Sequence, residues 1–153
     1  MKIFNSVKGN RGYTVIEMVV VLSIILAFLA LGMPYFSNFG RSLNLKATER
    51  EVGTVLRTAR SYAISRNEGY SVFFDTSVTP NIFYIYRTAD TNKSPVDKTG
   101  LASSGVTFNA NTTITFAANG GLAGGSATSI TINMGTSSKQ ITVSNVTGAV
   151  TMP

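Results

Sequence analysis

Residues 13–36 read YTVIEMVVVLSIILAFLALGMPYF, an apolar run with one charge, Glu17. As a helix rising about 1.5 Å per residue it reaches roughly 36 Å, more than a hydrocarbon core of about 30 Å. A secretory signal's apolar region stops after about 7–15 residues at a small-residue cleavage site, and Gly32-Met33-Pro34 makes no such site. The run therefore predicts a membrane-spanning helix. Ahead of it, residues 1–12 hold Lys2, Lys8 and Arg11 and no acid, so that end stays cytoplasmic and the rest of the chain lies outside. Glu17 is what a plain anchor leaves unexplained. A carboxylate at the centre of a membrane helix costs about 2.5–3.5 kcal/mol, less near the interface. Such a charge marks a function with a partner, or else an interfacial residue favoured by the helix dipole.

Outward from this run the composition narrows the chemistry. The chain has 153 residues, 44% hydrophobic and only 13% charged, with no cysteine and no histidine. Disulfides, thiolate metal sites, cysteine nucleophiles and histidine-based triads or zinc sites are all excluded. The net charge of +6 falls to +3 without the three cations of residues 1–12. Pro34 lacks an amide donor and clashes with the carbonyl one turn back, and Gly32 and Gly40 flank it. The helix is expected either to kink or to melt there.

A second, amphipathic stretch spans residues 37–68. Leu45, Val52, Leu56, Ala59 and Ala63 share one helix face that should pack against the C-terminal β domain, and Gly69 is the expected left-handed stop. On the opposite face Lys46, Arg50 and Arg57 fall within about 40° of one another, at about 100° per residue. Arg60 lies beside them, and Glu49 offers the only local compensation. The stripe is either a solvated face or a site for acidic partner subunits, anionic lipid headgroups or nucleic acid.

Residues 69–153 read as β structure. Strands are expected at 70–74, 82–87, 106–109, 112–117, 128–133, 140–144 and 149–152, several alternating apolar residues with Thr or Ser. Residues 75–81 form a turn carrying Pro80-Asn81, and 89–100 an exposed loop. The fold class is α+β: a long N-terminal hydrophobic helix packed on a small antiparallel β-sandwich domain. The glycine-rich stretch Gly120-Gly121-Leu122-Ala123-Gly124-Gly125 has no lysine and no following helix, so it is a loop rather than a phosphate cradle. Asp75, Asp90 and Asp97 are isolated, and Glu49 and Glu51 point to different helix faces. No catalytic pair, metal site or cofactor site emerges.

Lys8-Gly9-Asn10-Arg11-Gly12-Tyr13-Thr14-Val15-Ile16-Glu17 resembles the class III leader of type IV pilins and type II secretion pseudopilins. The resemblance implies that residues 1–12 are a leader cut by a prepilin peptidase between Gly12 and Tyr13. Tyr13, where the family more often has Phe, then becomes the N-methylated first residue. It implies that Glu17 pairs with the N-terminus of a neighbouring subunit and that Pro34 is the helix-loosening proline of residues 13–36, the filament-core helix. Residues 52–75, with Ala59-Arg60 and Ala63-Ile64, are similar to the GspH/FimT-type minor pilins and pseudopilins, and residues 114–148 resemble their C-terminal half more loosely. The implied protein is a structural subunit, not an enzyme, in a type IV pilus or secretion pseudopilus, at the tip or in priming. The absence of cysteine agrees with a minor subunit, since major pilins usually close their C-terminal region with a disulfide. Implied partners are the peptidase, other pilin or pseudopilin subunits, inner-membrane lipid and the inner-membrane assembly platform, with the β domain periplasmic. DNA is the alternative ligand, because some relatives capture it with a Gly-Arg-x-Arg tail. Here Gly148 is followed by Ala149-Val150-Thr151, with no cation to release counterions.

Overall fold

The computed structural model describes residues 12–97 and 99–152, and of residues 32–38 the backbone only. The leader thus lies almost wholly outside the described residues. The chain divides into two units, Met1–Asn38 and Phe39–Pro153. Helix α1, Val15–Arg66, contributes to both, and its backbone is helical throughout. In the first unit every described side chain from Val15 to Leu31 is exposed, Val15 at 83% and Phe28 at 72%. Ser23 Oγ donates to the Val19 carbonyl at 2.8 Å, so the hydroxyl within this apolar stretch is satisfied inside the helix. Among the described residues no helix is long and apolar enough to cross a membrane. The described apolar side chains end at Leu31, and residues 32–36, which complete the expected span, lie outside them.

In the second unit the predicted helix face is the buried one. Leu45, Val52, Leu56, Ala59 and Ala63 are all in the core. The helix stops earlier than expected. Asn67, at φ 51°, takes the left-handed position in place of Gly69. Glu68 N–H donates to the Ala63 carbonyl at 3.2 Å and Asn67 N–H to the Ile64 carbonyl at 3.4 Å, the two bonds of a Schellman motif. Asn tolerates this conformation better than other side chains. Gly69 sits in a close approach instead, since a Cβ there would stand 3.0 Å from Thr88 Oγ1.

Beyond the helix lie eight strands: β1 (Tyr70–Asp75), β2 (Ile82–Arg87), β3 (Gly100–Leu101), β4 (Thr107–Phe108), β5 (Thr112–Phe116), β6 (Ser129–Met134), β7 (Ser137–Val143) and β8 (Val150–Thr151). They form two four-stranded antiparallel sheets, β3-β2-β1-β5 and β4-β6-β7-β8. Seven match the expected strands. The eighth, β3, emerges from the end of the predicted loop, where Gly100 pairs with Phe83 and a side chain would collide with the Phe83 ring. Alternate residues face inward, so Val72, Phe74, Ile85, Ile114, Ile130, Ile132, Ile141 and Val143 meet α1 in one core. Phe108 of β4 packs edge-on against Phe74 and Phe83, at 5.2 and 5.8 Å between ring centroids, tying the second sheet to the first.

Three polar contacts hold these layers. Asn81, 5% exposed, donates to the Val78 carbonyl at 2.8 Å and accepts from Phe108 N–H at 3.0 Å, so one side chain closes the β1–β2 turn onto the other sheet. Thr48 Oγ1 accepts from Ser103 N–H at 3.0 Å. Glu49, expected on the cationic face, is instead 5% exposed and pairs with Lys139 Nζ of β7 at 2.8 Å. Its Oε1 is buried with no hydrogen-bond partner among the described residues.

The buried pair and the Gly148 turn can each be tested by unfolding the full chain in detergent. Lys139→Ala leaves a buried carboxylate unpaired and should destabilise the protein by about 3–5 kcal/mol, whereas Glu49→Met with Lys139→Met should restore most of that loss. Gly148, at φ 65°, lies where a Cβ would run into the Gly120 carbonyl oxygen. Gly148→Ala should cost about 1–3 kcal/mol by the same measurement.

Candidate subunit-assembly surfaces

The first candidate surface lies where α1 begins. Gly12 and Tyr13 precede the helix and are exposed, Tyr13 at 80%. Among the described residues nothing stands within 4 Å of a Cβ built on Gly12. Thr14 and Glu17 form a reciprocal capping box. Glu17 N–H donates to Thr14 Oγ1 at 3.2 Å, and Thr14 N–H donates to Glu17 Oε2 at 3.3 Å. The Thr-x-x-Glu spacing is the sequence signal for this box, overlooked beside the stronger apolar run. Glu17 thus caps the start of α1 within the single chain, through Oε2 and its own N–H. Pro34 lies in the helical backbone, outside the described side chains.

The second candidate surface is the exposed face of α1 in the other unit. Lys46, Arg50 and Arg57 are exposed and form no ion pair among the described residues. Arg60 does not join them. Its Nε donates to the Gly120 carbonyl at 3.1 Å, bracing the loop that Gly148 crosses. A helical wheel places the root of a long side chain, not its tip, which is why Arg60 was expected in the stripe. Glu49 is likewise withdrawn to Lys139, leaving the three cations without their expected compensation.

Elsewhere the titratable groups build turns. The Ser77 hydroxyl, then its amide, hold the Asp75 carboxyl below its ordinary range, and the amides of Asn92 and Ser94 do the same for Asp90. Burial, then the Asp75 charge, raises the Tyr84 hydroxyl. These carboxylates are held ionised as turn-formers, which does not suit them to donate protons. Among the described residues no group of three acidic side chains could hold a metal ion.

In the second unit an amphipathic helix is packed on two small antiparallel sheets in one core. Residues 50–148 match the family described as Type II transport protein GspH. The type IV minor pilin FimU of Pseudomonas aeruginosa superimposes with a TM-score of 0.59 at 17% identity, covering 75% of this chain and 92% of FimU. The minor pseudopilin EpsH of the Vibrio cholerae Type 2 Secretion System gives 0.52 at 11% identity, covering 72% and 96%. No curated protein matches by sequence. The chain belongs to the GspH family. As a member of that family it is a structural rather than enzymatic subunit.

Thr14→Val removes one half of the capping box and should destabilise the start of α1 by about 1 kcal/mol, while Thr14→Ser should retain it. Amide exchange at Ile16 and Glu17 distinguishes the two.

Proposed function

We propose that the chain is a prepilin, cut between Gly12 and Tyr13 by a prepilin peptidase and methylated on Tyr13. It waits in the bacterial inner membrane as a single-pass protein with its β domain in the periplasm. An assembly platform then moves it into a type IV pilus or a type II secretion pseudopilus, as a tip or priming subunit. The observation that carries this reading is the apolar, exposed surface of α1 from Val15 to Leu31, with one carboxylate at its start. A helix apolar on every side needs a cover, either lipid or the helices of other subunits. Cleavage beside Tyr13 exposes an α-amine that must enter the same apolar surroundings. Glu17 supplies the opposite charge there, where either group alone is costly. Gly12 fits the reading as well, since among the described residues nothing crowds a Cβ there and the fold's described packing sets no demand for glycine. Pro34 is the place where the helix would loosen to let subunits pack.

DNA capture has less support. Val150 and Thr151 after Gly148 form β8, Lys139 is paired with Glu49, and Arg60 is engaged by the Gly120 carbonyl.

Sequencing the processed protein should find methylated Tyr13 first, and Gly12→Ala should leave the fold unchanged and cut poorly. Glu17→Gln should enter the membrane normally, while its incorporation into fibres drops about tenfold or more. Normal incorporation of that variant defeats the electrostatic account.

A further inference from the structure

The β domain carries an apolar groove at the end where α1 enters it. Thr79 and Pro80 of the β1–β2 turn line it with Ala102, Gly105 and Val106 of the loop after β3, around about 350 Å³. Val78 and Leu101, their neighbours in the chain, are both exposed. Contacts to α1 fix where the groove lies. Asn44 Nδ2 donates to the Ser104 carbonyl at 3.3 Å, and Thr48 Oγ1 accepts from Ser103 N–H. A Cβ on Gly105 would meet Met134, and one on Gly135 would stand 4.0 Å from Arg41 Nη1, so the β6–β7 turn reaches this end too. The opposite end is marked by Arg60, whose Nε reaches the Gly120 carbonyl, and by exposed Val146 beside Gly121. From Asn44 to Arg60 the helix rises about 24 Å. On α1 itself Phe39 and Leu43, one turn apart on one face, are exposed at 64% and 50%. They follow Phe36, the last residue of the apolar run, by about 5 and 11 Å of helix.

We propose that this end of the β domain is a membrane seat, laid on the headgroup layer of the leaflet from which α1 emerges before assembly. The proposal rests on the single-pass reading above and adds a second lipid contact to it. Continuity with the apolar run chooses the occupant. A bilayer with its headgroups spans about 40–45 Å against about 30 Å of hydrocarbon, so Phe39 and Leu43 come out among the headgroups or just above them. Phe and Leu gain by burial at the boundary of headgroup and acyl chain, while a neighbouring Arg keeps its charge at the surface. The groove is tied to Asn44 and Thr48, directly beyond Leu43, and brings Val78 and Leu101 to the same level. The charges suit a zwitterionic phospholipid. Exposed Arg41 offers a partner for the phosphate, and Asp75, bound to Ser77 at the head of the β1–β2 turn, offers one for the amine.

The chain contains no tryptophan, so a single one introduced at a chosen site reports its depth in lipid. Full-length variants are reconstituted at high dilution in phosphatidylcholine vesicles, which keeps copies apart. Fluorescence is then compared between ordinary lipid and lipid brominated near the top of its acyl chains. Leu26→Trp, inside the apolar run, should be quenched and reports the span itself. Val78→Trp and Leu101→Trp should each lose about half their emission, as residues at the headgroup boundary do. Val146→Trp, at the opposite end of the domain, should shine equally in both lipids. All three β-domain sites are exposed, and circular dichroism matching the parent chain verifies each fold. Quenching of Leu26→Trp with either Val78→Trp or Leu101→Trp unaffected overturns the seat and leaves the single-pass reading standing. Quenching of Val146→Trp as strong as theirs also overturns it, because lipid then contacts the domain without choosing this end. No quenching of Leu26→Trp overturns the single-pass reading and the seat with it.

Discussion

One continuous helix has to satisfy two kinds of surroundings. Around Val15–Leu31 every described side chain is apolar or small except Glu17, and all are exposed. From Leu45 to Ala63 only one stripe is apolar, and that stripe is buried against the β domain. Burying a Leu or Val is worth about 1.5–3 kcal/mol, so the uncovered part holds a large unsatisfied drive to associate. The covered part holds its domain in shape. The capping box at Thr14 starts the helix in the first region, and the Asn67 turn stops it after the second.

Within the β domain the polar contacts decide which packing is unique. Apolar faces alone would let the two sheets slide over α1. Asn81 bonds to both the β1–β2 turn and β4, and Glu49 meets Lys139 at one position along β7. Withdrawing Glu49 into the domain has a second effect: it leaves the cations of the opposite face without an ion pair among the described residues. One buried pair thus couples the domain's packing to the charge of its outer surface.

How far the sequence could be read depended on range. The buried stripe of α1 and seven strands are local patterns of period near 3.6 or 2, and they were legible. Strand β3 has only two residues and no period, so it was not. Asn67 and Gly69 both carry a helix-stop signal, and only the hydrogen bonds choose between them. The fates of Glu49 and Arg60 were hidden because Lys139 and Gly120 lie far along the chain. Candidate assembly residues divided the same way. The processing role of Gly12 and Tyr13 is read from a short motif alone, whereas Asp97 reaches the groove that Glu51 lines only through the fold.

From Thr99 to the last residue Lys139 is the only charged side chain, and Glu49 neutralises it. The outward side of that half is a wall of hydroxyls and amides, with Thr131, Thr142 and Thr151 along its strands. Such a wall casts almost no long-range field. Its hydration should vary little between dilute and saline water, while the charged helix responds to both. Ionic strength is therefore a handle on one side of the molecule only.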